Sequence, residues 1–134
     1  MQTALMIAIA LHALSSVFWA GTTFALARSQ GQGADQLRKP QLGAALVAIV
    51  SGAVLGHLTH AGAFGNAERV LAAGAGAALI AAVVQLATFF RTARAAPASP
   101  VQGNERPHTV RGQRIAAGLL AVTLLCMVLA RYAG

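Results

Sequence analysis

Acidic residues are nearly missing from this chain. Asp35, Glu68 and Glu105 are the only three in 134 residues, and none falls inside an apolar run. Proton or cation transport by buried carboxylates needs acids at membrane depth, so that class of function is not expected. Charged residues of both signs reach only 10%, whereas a soluble domain carries about 25%, and 57% of the chain is hydrophobic. This composition predicts an integral membrane protein forming one domain over residues 1–134. The single cysteine, Cys126, lies in an apolar run, which excludes an intrachain disulfide and a paired-cysteine zinc motif. No nucleophile beside a base and no phosphate-binding glycine loop can be read, so no catalytic residue is assigned. The formal charge of +7 does not point to nucleic acid. The charges sit between apolar runs, and no basic face with stacking aromatics is present.

Four apolar segments are there instead, at about 4–27, 42–62, 70–90 and 113–130. Each is close to the ~20 residues that a helix needs to cross hydrocarbon. The first ends in Ala25-Leu26-Ala27, which looks like a signal-peptide cleavage site. No Lys or Arg precedes Arg28, however, and the run is long for a signal core, so it reads as a span. The first connection holds Arg28, Arg38 and Lys39 against Asp35, a net +2; the second is neutral, with Glu68 and Arg69. The third carries Arg91, Arg94, Arg106, Arg111 and Arg114 against Glu105, a net +4. The positive-inside rule places the first and third connections in the cytoplasm. The expected fold is therefore all-α: a transmembrane four-helix up-down bundle with both termini on the outer, periplasmic side of a bacterial-type inner membrane. The third connection, 91–112, contains Pro97, Pro100 and Pro107 and is expected to be mobile. Arg131 and Tyr132 would anchor the last helix at the outer interface.

Small residues mark where helices can approach closely. The second span offers Ser51, Gly52 and Gly56, and the third Ala73, Gly74 and Gly76. Such positions either pack tightly or leave room for a flat cofactor. Ser51 and Thr123, near mid-membrane, are expected to bond backbone carbonyls. Gln85, toward the cytoplasmic end of the third span, is expected to meet Thr23.

Histidine is the residue type that points to chemistry. By the helical rise, His12 lies roughly 12 Å below the outer surface and His57 roughly 8 Å below it, on neighbouring antiparallel spans. His60 shares the face of His57 at a spacing of three. Imidazoles at membrane depth are costly, and they ligate metals and haem iron. A pair from two helices could clamp a b-type haem through His12 and His57, with His60 as the substitute for His57. Gly52 and Gly56 would supply space, and Arg69 and Arg131 would meet the propionates. Ser16, Trp19 and Thr23 continue the face of His12 at helical spacing. On that face Ser16 would hold the His12 ring, and Trp19 would pack on a cofactor edge. The opposing reading is that each of these residues only packs; His108, in the third connection, has no assigned role.

The stretch LHALSSVFWAGTTFALAR, with His12, Trp19 and Gly21 in order, resembles the first helix of copper-resistance D-type membrane proteins. It is also similar to HemJ-type protoporphyrinogen oxidases, which are small four-helix membrane proteins. RKPQLGAALVAIVSGAVLG at the second span continues the likeness to the copper-resistance group. The first resemblance implies copper handling, and the second implies a b-type haem with His12 as ligand. The expectation is a small haem-b protein transferring electrons near the outer leaflet, with a quinone or a redox protein as partner. Two alternatives stay open: a copper-binding or copper-transporting protein using His12, His57 and His60, and a cofactor-free accessory subunit of a membrane complex. Homo-oligomerisation also stays open.

Overall fold

A computed structural model describes residues 2–59, 65–94 and 107–133. It is all-helical: α1 spans Gln2–Arg28, α2 Ala34–Thr59, α3 Asn66–Arg94 and α4 Pro107–Ala130. Each helix is long and apolar enough to cross a membrane, and together they form a four-helix bundle. α1 packs most extensively on α2 and α3 on α4; α1 also meets α4, and the α2–α3 contact is the thinnest.

The helices outrun the apolar segments. α2 begins at Ala34 rather than near Leu42, and α3 continues through Arg91 to Arg94. α4 starts at Pro107, so both flanks of the connection expected to be mobile are helical, and 95–106 lies outside the described residues. Hydropathy reports only the length sitting in hydrocarbon. A helix goes on wherever its backbone bonds are closed, and proline is favoured at the first helical position because its missing N–H has no partner there anyway. Pro40 lies inside α2 and removes one backbone donor from that helix.

The turn between α1 and α2 is short and chemically specified. Gly31 N–H donates to Leu26 O at 2.9 Å, with Gln30 at φ 54° and Gly31 at φ 89°. This closure satisfies the last carbonyls of α1 and needs left-handed backbone, which glycine adopts without strain. At the start of α3, Gly65 N–H donates to Glu68 Oε2 at 2.8 Å, the reciprocal half of a capping box.

Residue sizes are inverted relative to a soluble bundle. The buried apolar centre is Trp19, Ala20, Ala45, Ala48, Ala81, Ala116 and Leu120. Thr23, Gln41, Ser51, Gln85, Thr109, Gln113 and Thr123 are buried with it. The large aliphatic residues point outward, with Leu14 and Val17 each 72% exposed. Lipid solvates such an exterior, and small residues inside let backbones come close. Burial concentrates at one end: α1 is buried at Trp19, Ala20, Thr23 and Leu26, whereas its first turns are largely exposed. That end also carries Arg28, Arg38, Arg91, Arg94, Arg111 and Arg114, as the contacts Thr23–Gln41, Arg38–Thr92 and Gly112–Thr88 show.

Close approach is sharpest between α3 and α4. A methyl group on Gly74 would stand 2.9 Å from Cys126 Cβ and 3.4 Å from Thr123 O. Thr123 Oγ1 donates to Gly74 O at 3.1 Å and is shared with Leu119 O at 3.0 Å. Gly76, two residues on, has nothing within 4 Å. Gly74→Ala is expected to lower stability in detergent by about 1–3 kcal/mol, the usual cost of overpacking. Gly76→Ala is expected to be neutral or stabilising, because alanine is the better helix former. Thermal unfolding of both variants checks this, and equal effects would refute the packing assignment.

Candidate functional site

Among the described residues, two places in the bundle bring polar side chains of different helices together, around His12 and around Thr23. The first is the α1–α2 seam. His12 Nδ1 lies 2.9 Å from Ala48 O and 3.3 Å from Ser51 Oγ. A carbonyl only accepts, so Nδ1 carries the proton and donates to it, which makes Nε2 the lone-pair nitrogen of the neutral ring. Among the described residues nothing hydrogen-bonds Nε2. Gly52 makes this possible: a methyl there would fall 2.9 Å from His12 Cε1. The ring therefore occupies the space that Gly52 leaves.

The companions of His12 differ from those expected. Ser51 of α2 holds the ring; Ser16 makes no hydrogen bond to it, and the neighbouring Ser15 bonds Leu11 O and His12 O. His57 is exposed, and five positions beyond Gly52 it lies about 140° round the helix from the His12 seam. His12 and His57 are thus not brought together across α1 and α2. His12 is level with Ala48 to Gly52, so His57 stands about 7.5 Å farther along α2 and faces another direction. His60 lies outside the described residues. Gly56 has open space around it. His12 is the residue that would hold a b-type haem: its Nδ1–H is anchored on the Ala48 carbonyl, as in liganding imidazoles, and among the described residues its Nε2 has no hydrogen-bond partner. The space beside Gly52 is taken by the ring itself, so the glycine makes no slot for a macrocycle between the two helices.

The second place is a buried polar cluster at the arginine-rich end, and it centres on Thr23. Thr23 is fully buried, and its hydroxyl donates to Trp19 O at 2.7 Å. The same oxygen accepts from Gln41 Nε2 at 2.7 Å and Gln85 Nε2 at 2.9 Å. One donor and two lone pairs are all that a hydroxyl has, so this one is saturated. Gln85 Oε1 in turn accepts from Trp19 Nε1 at 2.7 Å. Trp19 is therefore an element of the bundle core. The Gln85–Thr23 pairing and the carbonyl bonds of Ser51 and Thr123 match expectation. Gln41 and Gln113 join the buried polar set without having been expected there. The sequence does carry a signal for them: Gln41 and Gln113 lie near the N-terminal ends of α2 and α4 and Gln85 toward the C-terminal end of α3, which an antiparallel bundle brings to one end.

Thr23→Val keeps the shape and removes the acceptor of two buried amides. Unmade buried hydrogen bonds cost about 1–3 kcal/mol each, so this variant is expected to be among the most destabilised single changes. Thr22→Val, whose hydroxyl bonds only Phe18 O and Trp19 O of its own helix, should stay within about 0.5 kcal/mol. Unfolding midpoints in detergent distinguish them, and a silent Thr23→Val would remove the cluster from the account of stability.

Compared with protein-family models, curated proteins and solved structures, the chain matches none.

Proposed function

We propose that this is a multi-pass protein of a bacterial-type inner membrane that holds a b-type haem on His12 and passes electrons near the outer leaflet. In this reading the helices run up, down, up and down, with both termini outside. The arginines gathered at the opposite end support that orientation through the positive-inside rule.

The observation that carries the cofactor reading is His12 itself. An imidazole whose Nδ1–H is fixed on Ala48 O presents a basic Nε2 in a set direction. A bound b-type haem would supply one-electron redox chemistry. The chain's own part is to orient that nitrogen, through the Ala48 carbonyl and the space left by Gly52. His57 is exposed and offset on α2, so in this reading His12 is the residue that would hold the group. The copper alternative draws less support, because among the described residues no three His, Cys, Asp or Glu side chains converge. The accessory-subunit reading is favoured by one observation, the exposed and offset placement of His57. Under it, His12 is simply a hydrogen-bonded seam residue.

Absorption spectroscopy of protein purified from haem-supplemented cells separates these readings. The expected result is a Soret band in wild type, lost in His12→Ala and kept in His57→Ala. Wild-type protein that is folded and colourless would support the accessory subunit and overturn the haem assignment. A band indifferent to His12→Ala would overturn the ligand.

A further inference from the structure

The cavity bordered by Arg38, Gln41, Gln85, Thr88, Phe89 and Gln113 lies at the arginine-rich end of the bundle and is separate from the His12 seam. Gln113 is only 5% exposed, and among the described residues its Oε1 is the one buried side-chain oxygen or nitrogen without a hydrogen-bond partner. A buried carboxamide oxygen without a partner is costly, because it gives up its bond to solvent and gains none in return. The protein groups nearby do not relieve it. Gln41 and Gln85 each aim one N–H at Thr23, whose hydroxyl is saturated, and Gln85 Oε1 is taken by Trp19. Thr88 donates its hydroxyl to Gln85 O at 2.7 Å.

We infer that this cavity is a binding site for one water molecule, which donates to Gln113 Oε1 and accepts from a remaining carboxamide N–H of Gln41 or Gln85. The space for a water-sized body is about 10 Å³, the lower limit for a single water. The lining offers the two to four polar partners that an internal water uses. Water also donates and accepts, so it satisfies the Gln113 carboxamide in either orientation of its oxygen and nitrogen. A pure acceptor or a pure donor would not. With this molecule in place, Gln113 of α4 is tied into the Trp19–Gln85–Thr23–Gln41 cluster, and all four helices share one hydrogen-bonded unit.

A high-resolution crystal structure of the detergent-purified protein tests this. The expected result is an isolated peak within hydrogen-bonding distance of Gln113 Oε1, and its loss in Gln113→Leu. If Gln113→Leu does not yield folded protein, the wild-type map alone decides. Continuous density of a lipid or ring compound at that position overturns the assignment to water. So does a map in which Gln113 bonds a protein group and no peak is present. Neither result depends on whether His12 binds haem.

Discussion

A polar group inside hydrocarbon has no water to fall back on, and that constraint orders this bundle. Thr23 is the point where it is met. Its hydroxyl uses every hydrogen-bonding direction it possesses, holding α2 through Gln41, α3 through Gln85 and its own helix through Trp19 O. Aliphatic packing cannot select one arrangement of these helices, because lipid tails solvate leucine and valine as well as another helix does. Selection falls to the few polar side chains, and they cluster at the end where burial is deepest.

Small residues make that selection possible. Alanines fill most of the centre, and three glycines, Gly52, Gly74 and Gly112, stand where a neighbouring helix comes nearest. Gly52 admits the ring of His12, Gly74 admits Thr123 and Cys126, and Gly112 admits Thr88. Each of these glycines thus serves a particular polar or close-packed partner. The first places an imidazole against a carbonyl of α2; the last brings α4 against Thr88, beside the three glutamines.

The four membrane-length helices are legible in the sequence, because hydrophobic length is a property of the chain itself. Helix ends are not, since Asp35 to Gln41 and Thr109 to Gly112 are largely polar yet helical. The site is legible in part. His12 stands out as an ionisable group at depth, and Gln85 with Thr23 can be matched from either side. The partner of His12 cannot be chosen by counting residues from the helix ends, because Ser51 and His57 lie less than two turns apart on α2, about 9 Å in level and about 120° in the angle they face. That angle depends on how α2 is rotated against α1, a tertiary quantity that periodicity in so uniformly apolar a helix does not reveal.

Trp19 and Gln85 are 66 positions apart in the chain and meet at 2.7 Å. Their bond therefore works as a ruler between the first helical hairpin and the second. If α3 slipped by one residue, Gln85 would move about 1.5 Å along the axis and swing about 100° away from the indole. The register and the rotational setting of the two halves are fixed together by this indole–amide bond, with the Gln85–Thr23 and Arg38–Thr92 bonds beside it, in a molecule whose outer surface would tolerate many others.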